Sequence, residues 1–452
     1  MIDKIFFIVL VLNATRLFAF LAPQFGVTIG TISLALLALN VCYLIVKVRY
    51  SVLLFLRRGM GSWLFVLVLW PLVTVLYAPS INIREIGLKL YYFSLFFCTV
   101  VYTVTNGLPA MHRVMSISLV ISVVGLVLSM LMPDYFESVA LIATGRTKFT
   151  GRPFGFFMQP NRLAFGLGLL FIGWFSLLQR KNGLSELVST LAFLLVMLLT
   201  GSRIGILIAV IIVMVSLVYS LRKRLISGRY YLKICLLMIC LVGGVIGTRH
   251  YLSSVGNSVI REEKDLIDRM ETMLSFKIST KESIKDDESI EARLGAQTVY
   301  RSFIKEKPLL GHGCGSEAYY LENDSILVIA HSEALTCAME YGVLYPLAFG
   351  LLIFQLYRKH SRCGVEIVFQ TNSISQFVVV VLFLFVVGSL LDMRTLYIVL
   401  GMFFATVYFP HLLFKYDSKF GSPQFCMSIK DIRNVRLIKR KSLLSQTGRK
   451  SV

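Results

Sequence analysis

Residues 204–221 read IGILIAVIIVMVSLVYSL, eighteen positions without a charge, opened by Thr200-Gly201-Ser202-Arg203 and closed by Arg222-Lys223-Arg224. Wound as an α-helix at about 1.5 Å per residue, such a run is roughly 27 Å long. That nearly matches the ~30 Å hydrocarbon core of a bilayer, so the segment reads as a membrane span. The same reading carried outward gives twelve spans at about 5–22, 28–46, 61–77, 87–105, 114–132, 159–178, 185–199, 204–221, 234–252, 334–357, 373–391 and 396–414. Composition agrees: 56% of the 452 residues are apolar and 16% charged, against about 45–50% and about 25% in soluble domains. The expected fold is therefore an all-α, polytopic transmembrane helical bundle of about 12 spans. Soluble globular, disordered, collagenous and small disulfide-scaffold classes are excluded.

The net charge of +21, from 46 Lys and Arg against 25 Asp and Glu, would suggest nucleic acid if it were spread evenly. It is not. With the N-terminus inside, the cytoplasmic connections hold fifteen basic residues: Lys47, Arg49, Arg57, Arg58, Arg113, Arg180, Lys181, Arg222, Lys223, Arg224, Arg229, Lys233, Arg358, Lys359 and Arg362. The short external connections hold six (Arg84, Arg146, Lys148, Arg152, Arg203, Arg394), and the tail from Lys415 to Lys450 adds ten inside. This asymmetry places both termini in the cytoplasm. The tail suits anionic lipid, and no nucleic-acid partner is implied. The first apolar stretch reads as a retained span, since no small-x-small cleavage site follows Phe20. Seven of the eight cysteines lie in or near spans or on the cytoplasmic side, and only Cys314 is external, so no disulfide framework is expected.

The chain thus divides into residues 1–252, spans one to nine with external motif segments at 133–162 and 200–203; residues 253–333, one large, partly helical external loop; residues 334–414, the last three spans; and residues 415–452, a basic cytoplasmic tail. The loop is predicted to hold helices near 259–275 and 290–306.

Polar residues within spans are rare, and those at span ends gather on the external side: Arg152, Asn161, Ser202, Arg203, Arg293, His331, Glu333, Asp392 and Arg394. That is a site at a surface and not a channel through the membrane. In Thr200-Gly201-Ser202-Arg203, an N-cap serine would open the helix, leaving backbone N–H groups and a guanidinium facing outward. This suits an anion such as pyrophosphate; a helix anchor reaching for lipid headgroups is the plain alternative. Arg293 precedes Tyr300 on the second loop helix, ahead of a glycine run from Pro308 to Gly315 that can bring backbone close to a ligand. Alone, Arg293 would read as a solvated loop residue. His331 opens His331-Ser332-Glu333-Ala334-Leu335; a neutral imidazole there can take a proton from a sugar hydroxyl. Glu340 lies half a helical turn away from His331 in rotation and reads as a buried structural group without a nameable partner. His250, His312 and His331 form no close-spaced ligand pair, so no metal and no cofactor is expected.

Taken in order, the segment at 200–203 opening a span, Arg293 before the 308–315 turn, and His331-Ser-Glu-Ala-Leu followed by Glu340-Tyr341-Gly342 resemble the O-antigen polymerase and ligase superfamily, with the Wzy-type O-antigen polymerases favoured over the O-antigen ligases. Gly155-Phe-Phe-Met-Gln-Pro-Asn161 resembles that family's Pro-Asn motif before a span. The similarity spans roughly residues 150–410, although Ile204 stands where the family has a small residue and Ser332 where it often has asparagine. The resemblance implies a bacterial inner-membrane glycosyltransferase acting at the periplasmic face on an undecaprenyl-pyrophosphate-linked oligosaccharide, without metal. Arg203 and Arg293 would hold the donor pyrophosphate, and His331 would activate the acceptor hydroxyl or orient it. Ser202, Arg152, Asn161, Tyr300, Arg394 and Asp392 would contact substrate. The expected reaction is polymerisation of lipid-linked repeat units for O-antigen or a related surface polysaccharide, with a chain-length regulator protein as a partner. The alternatives are an O-antigen ligase transferring glycan to lipid A-core and, in another class, a lipid-linked sugar transporter, which predicts midplane charges, lacking in most spans here, and repeats, of which none is visible.

Overall fold

The computed structural model describes residues 2–48, 51, 60–80, 83–144, 153–177, 183–200, 202–222, 288–323, 326, 332–362, 371–387 and 393–409. Among the described residues the chain is helical, with no strand. The elements are α1 (Ile2–Thr15), α2 (Leu17–Leu21), α3 (Ile29–Val46), α4 (Met60–Tyr77), α5 (Ile83–Leu131), α6 (Pro133–Thr144), α7 (Pro160–Leu177), α8 (Gly183–Leu199), α9 (Arg203–Arg222), α10 (Glu288–Glu306), α11 (Ser316–Glu322), α12 (Glu333–Tyr341), α13 (Leu344–Arg362), α14 (Thr371–Val387) and α15 (Arg394–Tyr408).

Eleven of the expected spans coincide with helices; the one at 234–252 lies outside the described residues, as does the expected loop helix at 259–275. By length and hydropathy alone α4 and α5 qualify as crossing helices, and the bent pair α1–α2 makes a third. The helices are less regular than their hydropathy. Between α1 and α2, Arg16 adopts the left-handed conformation (φ 57°) and the axis turns by 75°. The 49-residue α5 is too long for one crossing, and Gly107 (φ 78°, ψ 174°) breaks it two residues before Pro109. A positive φ with extended ψ is open to glycine at little cost. Within α4, a π turn over Phe65–Leu69 precedes Pro71, whose missing N–H and bulky ring disturb the ladder there.

The span expected at 334–357 is two helices, α12 and α13, separated at Gly342 (φ 84°). A Cβ at Gly342 would lie 2.0 Å from the Leu309 carbonyl oxygen, so the break is where the turn after α10 docks.

Helix α15 forms the centre, with every residue from Arg394 to Tyr408 buried. It lies against α5 through Tyr92–Tyr397 stacking at 5.1 Å and Phe96–Phe404 at 5.5 Å. A Cβ on Gly401 would sit 2.8 Å from the Phe96 carbonyl oxygen, so glycine is what lets the two helices approach. Thr395 donates to the Ala14 carbonyl at 2.9 Å, tying the start of α15 to the end of α1. Away from that end, Asp3 accepts from Lys47 (2.9 Å), Tyr43 (3.1 Å) and Asn106 (3.3 Å), joining α1, α3 and α5.

Candidate active site

Two groups of motif residues are assembled. In the first, the N-termini of α7 and α9 meet. Ser202 is the N-cap of α9: its Oγ accepts the Gly205 N–H at 3.3 Å, meeting one of the helix's unsatisfied donors. The same hydroxyl donates to Asn161 Oδ1 at 2.9 Å. Asn161 follows Pro160, whose fixed φ suits the first position of α7. Thr200 supports the cap by accepting the Ser202 N–H at 3.3 Å while donating to the Met197 carbonyl at 2.7 Å. Gly205 permits the approach: a Cβ there would stand 3.0 Å from Ala164 Cβ. The segment at 200–203 and the Pro-Asn segment therefore form one structural unit, 41 residues apart in sequence. Helix α9 begins at Arg203, whose side chain lies outside the described residues.

The second group joins α10, the glycine turn, α11 and α12. Gly311, Gly313 and Gly315 all have positive φ, and the turn they shape lies against protein backbone. His312 N donates to the Met339 carbonyl at 2.7 Å, Gly313 N to the Glu340 carbonyl at 2.8 Å, and Val343 N to the Pro308 carbonyl at 2.8 Å. A Cβ on Gly311 would approach the Glu340 carbonyl oxygen to 2.4 Å, and one on Gly313 would approach Ala78 Cα to 2.5 Å. The end of α4 docks here too, through Tyr77 donating to the Leu310 carbonyl at 2.9 Å and Trp70 to the Tyr341 carbonyl at 3.2 Å. The glycines expected to bring backbone near a ligand thus bring it near the start of the tenth expected span.

Glu340 gains its partner in this arrangement. Its Oε1 accepts the Gly315 N–H at 3.0 Å and the Glu317 N–H at 3.4 Å, so a carboxylate meets the positive end of α11. Glu317 accepts the hydroxyls of both Tyr300 on α10 and Thr336 on α12, the latter at 2.9 Å. Buried His312 sits with Nε2 2.8 Å from the Phe303 carbonyl, to which it donates, and Nδ1 3.0 Å from the Tyr320 hydroxyl. Burial, and then the nearby Glu306 carboxylate, push the Tyr320 phenol above its ordinary range, so it remains a donor at neutral pH. Among the described residues no three His, Cys, Asp or Glu side chains gather as metal ligands.

Of the residues expected to serve the site, Arg152, His331 and Asp392 lie outside the described residues, as does the side chain of Arg293, whose backbone is in α10. Ser202 and Tyr300 are 0% exposed and hold neighbouring segments rather than facing an opening. Arg394 begins α15 and is 3% exposed, turned into the bundle. Its guanidinium lies 4.1 Å from the Phe18 ring centre and 4.9 Å from that of Tyr91, and Nη2 donates to Ser33 at 3.1 Å. Its partners come from α2, α3 and α5. Sequence reasoning passed over Glu317 and Thr336, which carry no motif signal.

No curated protein matches the chain. Residues 187–354 match the family model described as O-antigen ligase, a stretch that contains Ser202, Arg203, Arg293, the glycine turn, His331 and Glu340. Over that stretch the chain is similar to the O-antigen polymerase and ligase superfamily, and the match does not separate polymerases from ligases.

Proposed function

We propose that the chain is a polysaccharide polymerase that joins undecaprenyl-pyrophosphate-linked oligosaccharide repeat units at the periplasmic face of the bacterial inner membrane, with both termini in the cytoplasm and about twelve spans. The observation that carries this reading is the joining of motif segments: Ser202 binds Asn161, and Glu317 ties the helix of Arg293 to the helix that follows His331. Membrane glycosyltransfer from a lipid-linked glycan is the chemistry of the family. Polymerisation is our finer assignment.

In the reaction, an acceptor hydroxyl oxygen bonds to the anomeric carbon of the donor glycan. The bond from that carbon to the pyrophosphate oxygen breaks, and its electron pair leaves with the lipid pyrophosphate. The hydroxyl proton passes to His331. Arg203 and Arg293 neutralise the charge developing on the leaving group, a task suited to guanidinium, which stays charged and binds phosphate with forked hydrogen bonds. Positioning supplies much of the remainder. A single displacement inverts the anomeric centre, and a product linkage of the same anomeric configuration as the lipid-linked donor would contradict it. Arg152, Asn161 and Asp392 are assigned to the surroundings of the substrate, and a chain-length regulator is the expected partner.

Ligation to lipid A-core is the second reading, favoured by the description of the matching family. Surface-polysaccharide ladders from a deletion strain separate the two. Single-repeat product on the core identifies a polymerase. Loss of all glycan from the core with accumulation of long lipid-linked polymer identifies a ligase.

A further inference from the structure

Glu317 belongs to no motif, yet three segments converge on it. Its carboxylate Oε1 receives the hydroxyls of Tyr300 from α10 and Thr336 from α12. Its own N–H, with that of Gly315, is held by Glu340 of α12. Helix α11 therefore rides on α12 through backbone and carboxylate bonds, and reaches across to α10 through the Glu317 carboxylate and through the Tyr320 ring, which packs on Phe303 at 4.5 Å.

The register of these bonds gives them their consequence. Arg293 and Tyr300 are seven residues apart on α10, about two turns. His331 precedes Thr336 by five residues, at the entry to α12. Apolar packing of Tyr300 and Met339 with Phe303, Ile304 and Leu335 also joins α10 to α12. Such packing is non-directional and leaves the helices several ways to settle. Two hydroxyls on one carboxylate oxygen are directional: sliding or rotating α10 against α12 lengthens at least one bond past its working range.

We infer that Glu317 is a positioning residue, which sets the placement of the helix carrying Arg293 against the segment carrying His331. The inference rests on the reading above, in which those two residues act on one donor and one acceptor. The Tyr300 and Thr336 hydroxyls donate to one carboxylate oxygen, and an amide oxygen in its place accepts both, so glutamine can replace it.

The test uses the full chain in lipid nanodiscs, with an undecaprenyl-pyrophosphate-linked oligosaccharide as donor and acceptor. Glu317→Ala is expected to lower kcat by about 100-fold, the scale of a displacement near 1 Å in an active site, while KM stays at the wild-type value. Glu317→Gln is expected to restore most of kcat, because its Oε1 still accepts both hydroxyls. Tyr300→Phe and Thr336→Val each remove one donor, should lower kcat less, and should add nothing in the Glu317→Ala background. These two variants carry the test if Glu317→Ala does not fold. Wild-type kcat in Glu317→Ala, or in both donor variants, overturns the inference, as does a rise in KM alone or a failure of Glu317→Gln to rescue. Arg293→Ala is measured beside them. Full activity in that variant shows that the functional reading itself has failed, and the positioning role with it.

Discussion

Ser202 and Asn161 share one hydrogen bond of 2.9 Å, and through it the N-cap of α9 is also the tie to the N-terminus of α7. One hydroxyl thus accepts from its own helix and donates to another. This makes the start of α9, and with it the backbone of Arg203, depend on two segments distant in sequence.

Ser202→Ala removes both interactions. An N-cap alone is worth about 1 kcal/mol, so the melting temperature in detergent should fall and polymer formation should fall with it. Asn161→Ala should cost less, because the cap survives. The double variant should be less damaging than the sum of the two, since both changes remove the same bond. Strict additivity would show that the bond contributes nothing.

Gly342→Ala places a Cβ 2.0 Å from the Leu309 carbonyl oxygen at a backbone φ of 84°. Strain at such a position costs about 1–3 kcal/mol before the clash is counted. The turn after α10 should undock from the α12–α13 break, seen as faster proteolysis within residues 308–315 and loss of activity. Gly350→Ala, where a Cβ would meet nothing within 4 Å, is the matched control and should behave as wild type.

Arg394 is a buried cation that donates to Ser33, while its Nε and Nη1 have no hydrogen-bond partner among the described residues. A buried cation carries a desolvation cost that an apolar side chain of similar volume does not. Arg394→Met should therefore hold or raise the melting temperature. Arg394→Lys keeps the charge but loses the planar stack on Phe18 and Tyr91, so it should lower it. If Arg394→Met melts well yet makes no polymer, the guanidinium serves substrate; if it keeps full activity, the residue serves packing alone.

His312 is held at both ring nitrogens by protein partners. Loss of these bonds in His312→Ala should cost about 1–3 kcal/mol through unpaired buried partners. Chelation by EDTA should leave wild-type polymer formation unchanged. A chelator-sensitive activity restored by zinc would contradict the metal-free reading.

Much of the helical layout could be read from uninterrupted apolar runs, because run length and bilayer thickness are directly comparable. The run at 204–221 and its serine cap are visible residue by residue. The breaks at Arg16 and Gly342 are not, since hydropathy is indifferent to a single φ change and both lie within apolar surroundings. In the site, sequence order suggested grouping Asn161, Ser202, Arg203 and Arg293, and the structure joins Asn161 to Ser202. The bond between Asn161 and Ser202 runs between helices, and nothing in a linear string pairs Glu317 with Tyr300 and Thr336 or gives Glu340 the N–H groups of Gly315 and Glu317. For Arg394, position at the end of a span suggested an outward role, whereas neighbours on α2, α3 and α5 decide the direction in which the side chain turns.

In the proposed function, this chain itself elongates a lipid-linked glycan with Arg203, Arg293 and His331. The most direct measurement incubates the purified full chain in nanodiscs with undecaprenyl-pyrophosphate-linked repeat units alone and resolves the products by gel. The account predicts a ladder of lipid-linked oligomers with wild type and none with Arg203→Ala, Arg293→Ala or His331→Ala. Absence of any ladder with folded wild type, or transfer only when lipid A-core is supplied, would contradict it.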